Sequence, residues 1–200
     1  MFAHEIVATD PRLDALQREI EDMTVLTIAR RQPVASDLRE LIGAIRIAGD
    51  LERVGDLAKN IAKCTVKLGA ETRVPRAIIG IKHMSEVANE LLKEVRSTPM
   101  PQRGEERPRE VWERDVDLDE LEDSVFRDVL TYMMEDPRNI SFWAHLLFCS
   151  KNIERIGDHA TNIAETVIYL VSGRSMPSER PHSRPETDAR IDIDATGGDV

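Results

Sequence analysis

Pairs of acidic residues spaced four positions apart are the feature of this chain best suited to chemistry. Two pairs lie in a motif that occurs twice, with the pattern E-R-x-G-D-x-A-x-N-I-A and an offset of 102 residues between the copies. Two D-x-x-x-D pairs, 105 residues apart, precede the two copies. The four pairs are Asp10 with Asp14, Glu52 with Asp56, Asp115 with Asp119, and Glu154 with Asp158. Each half of the chain therefore carries one pair of each kind, which indicates an internal repeat.

The chemistry that these acids predict is metal binding. Residues i and i+4 are neighbours on a helix, so two pairs on adjacent helices gather four carboxylates. Repulsion raises the pKa values of such carboxylates unless a cation neutralises them, and oxygen-rich sites suit Mg²⁺, Mn²⁺ and iron. We therefore predict a metal site, with one or more ions, on the outer surface of each half. A solvated acidic face is the alternative interpretation.

Three of the candidate ligands have alternative interpretations of their own. Asp10 stands directly before Pro11, and Asp followed by Pro is suited to cap and open a helix. Asn60 and Asn162 extend the two acidic rows by one turn. They are either additional metal ligands or exposed polar side chains, and the sequence leaves both interpretations open.

The elements that must position these acids are amphipathic helices. With Glu52 at zero on a helical wheel, Asp56 falls near 40° and Asn60 near 80°, whereas the apolar residues fall between about 160° and 260°. The acidic row therefore lies opposite the core. Gly55 and Gly157 stand beside the row, inside their helices, at a cost of about 1 kcal/mol each relative to alanine. We expect another group to approach the backbone closely at both glycines.

Apolar periodicity predicts five helices and no strand, so the fold class is all-α. Residues 1–9 are predicted to be frayed before a helix that opens at Asp10 and Pro11. The predicted helices run over about 10–31, 36–68, 76–96, 108–134 and 140–171. The repeat then divides the chain into a first unit, residues 1–72, and a second unit, residues 73–172. Residues 173–200 are rich in proline and charge and are predicted to be a disordered tail.

Composition excludes several classes of protein. The net charge of −10 argues against nonspecific binding of nucleic acid. No apolar run approaches the roughly 20 residues of a membrane span, and the first residues lack the pattern of a signal peptide. Cys64 and Cys149 form no C-x-x-C motif, so we interpret them as apolar packing residues of a cytoplasmic protein.

No catalytic residue is predicted, because the chain contains no H-E-x-x-H, G-x-S-x-G or phosphate-loop motif. The only Glu-x-x-His pair, Glu179 with His182, lies in the tail, which disfavours a buried di-iron centre. A carboxylate-bridged metal enzyme and a metal-free helical adaptor remain as alternatives. Arg53 is predicted to pair with a nearby acid such as Asp50, and His159 is predicted to be a partly buried structural residue.

The chain resembles the PhoU family of bacterial phosphate regulators over about residues 7–172. The segments that carry the resemblance are Arg30 to Pro33, Asp37 to Arg39, Arg46 to Lys63, Leu130 to Pro137, and Asn152 to Tyr169. The resemblance implies two similar three-helix bundles in tandem. It also implies metal ions bound by the four acidic pairs given above, with iron or zinc first. Manganese and magnesium come next, from the preference of these ions for oxygen ligands.

The same resemblance implies a role in phosphate homeostasis. Family members restrain phosphate uptake and phosphate-starvation signalling by contacting the phosphate ABC transporter and a membrane sensor histidine kinase. They normally begin with a further long helix, so the first bundle here is expected to be incomplete, with two helices. Such a pair exposes apolar surface, and we expect a second subunit or a swapped helix to cover it, as in a homodimer.

Overall fold

The computed structural model describes residues 2–68, 76–96, 106–174 and 176. Every regular element in these ranges is helical, which confirms the all-α fold class. The elements are α1 (Phe2–Arg31), α2 (Ser36–Leu68), α3 (Arg76–Arg96), α4 (Glu106–Glu113), α5 (Asp115–Glu135), a 3₁₀ turn (Pro137–Asn139) and α6 (Ile140–Ser172). The predicted bounds of α2 and α3 are confirmed. Nearly all of the predicted tail lies outside the described residues.

The first helix begins earlier than predicted. It starts at Phe2 and contains Pro11 in its interior, so the prediction of a frayed segment and a helix start at Asp10 is wrong. Proline removes one backbone hydrogen bond from a helix. The segment before it nevertheless packs on α2, where Ile6 and Leu13 line a small cleft together with Gly55. This packing offsets the lost hydrogen bond, and Asp10 is a mid-helix residue rather than a helix cap.

The predicted fourth helix is two helices. The chain turns at Arg114, so that α4 ends at Glu113 and α5 begins at Asp115. The Arg114 guanidinium bonds to two carboxylates of α3, at 2.7 Å from Glu94 Oε1 and 3.1 Å from Glu90 Oε2. These bonds, that of Glu90 above all, raise the pKa of Arg114. The break was missed because it depends on a contact with another helix.

The two motif-bearing helices, α2 and α6, pack on each other and form the centre of the molecule. Helix α1 covers one side of α2, whereas α3, α4 and α5 pack around α6. The fully buried side chains of the core come mainly from the second half, among them Met84, Leu91, Leu118, Val125 and Val129. Within the described ranges, no helix is both long and apolar enough to cross a membrane.

Candidate functional site

The first acidic cluster (Asp10, Asp14, Glu52 and Asp56) lies between α1 and α2. The cluster is held together by Lys59, whose Nζ donates to Asp10 Oδ2 at 2.6 Å and also to Asp56 Oδ1. Glu52 lies near enough to Asp14 and Asp56 for both negative charges to raise its pKa. The structure thus brings the two predicted pairs of the first half together around a lysine that the motif analysis had not singled out.

The second acidic cluster (Asp115, Asp119, Glu154 and Asp158) lies between α5 and α6. The charges of Asp158 and Asp119 act on Glu154, and the Asp115 side chain approaches the backbone of α6 at Gly157. Asp115 is buried, with 8% of its surface exposed. The prediction of an outer-surface row is therefore wrong in detail, because the acids lie in the seam between paired helices and are only partly exposed.

In each motif copy, a leucine from the neighbouring helix packs so close to the backbone that only glycine fits at that position. A Cβ atom at Gly55 would overlap Leu13 Cδ1, and a Cβ atom at Gly157 would overlap Leu118 Cδ2. The two leucines are 105 residues apart and the two glycines 102, so the contacts are related by the repeat. The expected close approach is confirmed, and the approaching group is a packing side chain. These contacts set the short separation that brings the acids of paired helices together.

In the first cluster, the positive charge of Lys59 offsets part of the negative charge of the carboxylates. Burial, followed by the charge of Asp56, raises the pKa of Glu52. The hydrogen bond from Lys59 lowers the pKa of Asp56. The bonds to Asp10 and Asp56 raise the pKa of Lys59 in turn, so its ammonium group is charged at neutral pH.

The second cluster has a different lysine contact. Lys151 donates to Glu154 Oε1 at 2.7 Å. Glu154 Oε2, in contrast, is buried and has no hydrogen-bond partner among the described residues. Burial raises the pKa of Glu154, and the bond from Lys151 only partly opposes this effect. A carboxylate oxygen without a partner in such a place favours the approach of a proton or a cation.

The carboxylates can supply oxygen ligands, but they are not arranged around a metal position as they stand. Among the described residues, no group of three or more Asp, Glu, His or Cys side chains has the geometry to hold a metal ion. Coordination at either cluster therefore requires side-chain rotation. Asn162 lies beside α2, with its Nδ2 atom 3.5 Å from Asp50 Oδ1.

The contacts around Asp50 differ from those predicted. Arg53 pairs with a nearby acid, as predicted, but that acid is Glu52, whose Oε2 lies 3.8 Å from Arg53 Nε, and not the suggested Asp50. The partner of Asp50 is His159, whose Nδ1 lies 2.9 Å from Asp50 Oδ1. This bond joins α2 to α6 and is consistent with the prediction of a partly buried structural histidine.

Lys59 is the residue at the clusters that the sequence analysis missed. It stands three positions after Asp56, and residues i and i+3 are neighbours on a helix. That spacing was the available signal for the Asp56 contact. The bond to Asp10 had no local signal, because the two residues are separated by 49 positions in the chain.

The fold and the two clusters define an all-helical tandem-repeat protein with paired acidic motifs in its helix seams. The sequence model of the PhoU domain matches residues 1–65 and 81–167, and the chain belongs to the PhoU family. The resemblance seen in the sequence is thereby confirmed.

Relatives and a solved structure agree with this assignment. A Rhizobium meliloti protein named "Phosphate-specific transport system accessory protein PhoU homolog" is 51% identical over 181 residues, which span 90% of this chain and 76% of the relative. A Caulobacter vibrioides protein of the same name is 44% identical over 180 residues, spanning 90% and 78%. The crystal structure of PhoU from Pseudomonas aeruginosa superposes with a TM-score of 0.81 at 35% identity, covering 86% of this chain and 82% of that one.

Proposed function

We propose that this protein is a cytoplasmic accessory regulator of phosphate transport, which restrains phosphate uptake and phosphate-starvation signalling. The observation that carries the proposal is family membership, since relatives 51% and 44% identical are named accessory proteins of the phosphate-specific transport system. Its proposed partners are the phosphate ABC transporter and the membrane sensor histidine kinase. Binding of nucleic acid and insertion into a membrane form no part of the proposal.

The test is complementation of a bacterial strain that lacks its own PhoU protein. Expression of this chain in phosphate-rich medium should lower both phosphate uptake and the activity of a phosphate-starvation reporter. Purified protein should also retain the transporter's ATPase subunit and the cytoplasmic part of the kinase. Stable expression without any change in uptake or reporter activity would contradict the regulatory role.

We further propose that the acidic clusters bind metal ions, iron or zinc in the first place and manganese or magnesium next. Support comes from the second cluster, where Glu154 Oε2 is buried and none of the residues that the structure describes donates a hydrogen bond to it. A bound cation would give this oxygen a partner and neutralise the surrounding carboxylates. The residues that would hold it are Asp115, Asp119, Glu154 and Asp158. Asn162 lies instead beside Asp50 of α2 and is not included in this site. The ion would supply positive charge and link α5 to α6.

Elemental analysis of untagged protein tests metal binding. The parent protein is reloaded with Fe²⁺, Zn²⁺, Mn²⁺ or Mg²⁺ and compared with the Asp56→Asn/Asp158→Asn double variant. Stoichiometric metal in the parent and its loss in the variant are expected. Parent protein that stays free of metal with every ion would instead favour the metal-free adaptor, with the acids serving as a surface for solvent or for a basic partner.

We also propose that the protein is not an enzyme. Burial, together with the neighbouring Cys64, raises the pKa of the Cys149 thiol to about 12, so Cys149 carries no reactive thiolate at neutral pH. The alternative, a carboxylate-bridged metal enzyme, predicts turnover by the metal-loaded protein. Assays with phosphate esters and with oxygen distinguish the two, and metal-dependent turnover that exceeds the rate of the free metal would overturn the proposal.

A homodimer is the proposed state of the protein, and its interface is the open apolar face of α1 and α2. In the second half, α3 packs on α5 and α6, and Val125 and Ile153 are 2% and 4% exposed. Their repeat counterparts, Ile20 and Leu51, are 37% and 47% exposed. The described residues provide no helix that covers this face of the first half as α3 covers the second.

A second copy of the chain fits this face in size. The exposed apolar residues along α1, from Ile6 to Met23, extend over about 25 Å at 1.5 Å per residue. Each helix is about 10 Å wide, so α1 and α2 side by side give a face of about 500 Å². Two such faces bury about 1,000 Å², the lower bound for a specific interface. The two faces are identical, as a two-fold interface requires.

Light scattering coupled to size exclusion at about 50 µM tests this interface, a concentration at which a dimer with a micromolar Kd remains associated. The parent should elute as a dimer and the Leu51→Glu variant as a folded monomer. Ile79→Glu, at an exposed position on α3, is the matched control and should remain dimeric. A monomeric parent, or a dimer unaffected by Leu51→Glu, would contradict the proposed interface.

A further inference from the structure

The first acidic cluster contains a cation of its own. Lys59 Nζ lies 2.6 Å from Asp10 Oδ2 and also bonds to Asp56 Oδ1, so one ammonium group joins a carboxylate of α1 to a carboxylate of α2. The lysine is shielded as well, with 20% of its side chain exposed. Charge-assisted bonds in a partly desolvated seam are stronger than those of an exposed surface pair.

Among the residues that the structure describes, the second cluster has no lysine at the position that corresponds to Lys59. The repeat offset of 102 relates Lys59 to Thr161, which is completely buried and donates its hydroxyl to the Gly157 carbonyl at 3.2 Å. The lysine that contacts the second cluster, Lys151, approaches from the preceding turn and is mostly exposed. Within the described part of the chain, Glu154 Oε2 has no hydrogen-bond partner. The two clusters therefore share their acids but differ in how those acids are neutralised.

We propose that Lys59 takes the place of a metal ion in the first cluster, so that this chain binds metal preferentially at the second cluster. This inference rests on the proposed metal binding and specifies which cluster carries it. A divalent ion takes carboxylate oxygens at about 2.0–2.6 Å, which is the space that the ammonium group occupies between Asp10 and Asp56. A metal ion can bind there only if Lys59 breaks its bonds to both carboxylates. Its ammonium group must also move away, because two positive charges at that distance repel each other.

The consequence is a large difference in affinity between two clusters that the repeat makes alike in sequence. The lysine side chain is flexible, so a metal ion can displace Lys59 at a cost in free energy. Lys59 therefore lowers the affinity of the first cluster for metal but does not abolish binding. We expect metal binding at the first cluster to be at least tenfold weaker than at the second. A single variant at Lys59 should reverse much of that difference.

Five proteins measured side by side test the inference: the parent, Asp56→Asn, Asp158→Asn, Lys59→Thr, and Lys59→Thr combined with Asp158→Asn. Threonine is the residue that the second half has at this position. Each protein is equilibrated with Zn²⁺ and, separately, with Fe²⁺ without oxygen, and bound metal is counted by elemental analysis. We expect Asp158→Asn to remove the metal of the parent, and Lys59→Thr to raise the metal content. The combined variant should keep the metal gained at the first cluster.

The outcomes separate this inference from the proposed metal binding itself. Metal in the parent that Asp158→Asn removes, with none in the combined variant, overturns the role of Lys59 and leaves metal binding standing. A metal-free parent with metal in the combined variant overturns binding at the second cluster and supports the role of Lys59. Equal loss in Asp56→Asn and Asp158→Asn shows that the first cluster holds metal in spite of Lys59, which also overturns the inference. No metal in any of the proteins overturns both.

Thermal unfolding keeps the result interpretable if Lys59→Thr folds poorly. Removing the ammonium group leaves Asp10 and Asp56 facing each other, and their repulsion should lower Tm in the presence of a chelator. Zn²⁺ should then raise the Tm of the combined variant while leaving that of Asp158→Asn unchanged. Lys59→Gln, which keeps the length of the side chain without its charge, should behave in the same way. A Tm that Zn²⁺ fails to raise in both Lys59 variants, each combined with Asp158→Asn, overturns the inference.

Discussion

In the first half, α1 and α2 enclose Lys59 among their acids and leave an apolar side open. In the second half, α5 and α6 enclose a buried oxygen of Glu154 that has no hydrogen-bond partner in the described ranges, and α3 covers the equivalent apolar side. The two helix pairs share the same glycine–leucine contact, with Leu13 over Gly55 and Leu118 over Gly157. Pairing of two helices is thus encoded within each repeat unit, whereas burial depends on what packs around the pair.

The largest expected contrast between the halves comes from a charge on the apolar side. Ile153→Asp places a carboxylate in the core and should destabilise the fold by more than about 4 kcal/mol. Leu51→Asp at the repeat-related, exposed position should change the stability of the monomer by less than about 1 kcal/mol. Urea unfolding at neutral pH, with Leu51→Asp measured under monomeric conditions, checks both. Equal losses would show that the open face is covered within the chain itself.

Replacing the leucine of each glycine–leucine contact should also destabilise the second half more than the first, but by a smaller margin. Leu118 is completely buried, so Leu118→Ala should cost about 3 kcal/mol through lost burial and the cavity left behind. Leu13 is only partly buried, and Leu13→Ala should cost about 1–2 kcal/mol. Denaturant unfolding of both variants measures the two values. A larger loss for Leu13→Ala than for Leu118→Ala would contradict the ranking of burial in the two seams.

The unpartnered oxygen of the second cluster predicts a stabilising substitution. Glu154→Gln removes a buried negative charge and provides an amide that can donate to neighbouring carboxylates, which should add about 1 kcal/mol at pH 7 in the presence of a chelator. The folded-state pKa of Glu154 lies above its ordinary value of 4.5, so the penalty grows as pH rises from 4.5 through the folded pKa. The gain should therefore vanish below pH 4.5. A gain that persists at pH 4 would point to packing rather than charge as its cause.

The smallest effect is expected at the Lys59 contact in the first cluster. The folded-state pKa of Asp56 lies below its ordinary value of 3.8, so its bond stabilises the fold above pH 3.8 and is lost as pH falls through the folded pKa. Because Asp56 is partly exposed, Asp56→Asn should cost only about 0.5 kcal/mol at pH 6. Unfolding curves from pH 6 to pH 2 should converge for parent and variant. Asp22→Asn, an exposed change on α1, should show no such convergence.

The sequence predicted much of this arrangement because its signals are local or repeated. Helical periodicity placed α2 and α3 at their observed bounds, and comparison of the chain with itself found the motif copies. The glycines indicated close approach, and Leu13 and Leu118 meet that expectation. Spacing along a helix also grouped the acids of each pair correctly, since i and i+4 lie on one face in any α-helix.

The features that the sequence did not predict depend on contacts between distant elements. Pro11 normally favours a helix start, yet packing of the preceding turns on α2 keeps the helix continuous from Phe2. The break at Arg114 goes with ion pairs to α3. Local propensity is weaker than such tertiary contacts, so these boundaries could be read only from the folded chain.

The sequence by itself determined that this protein is a helical tandem repeat with eight acids at matching positions, since periodicity and self-similarity are properties of the chain alone. Only the tertiary structure decided that the acids lie in helix seams rather than on an outer face. It also decided that Lys59 bridges Asp10 and Asp56, and that one helix pair is covered while the other is open. Which charge neutralises a carboxylate depends on distances across the fold, because electrostatic interaction and desolvation act through space rather than along the sequence.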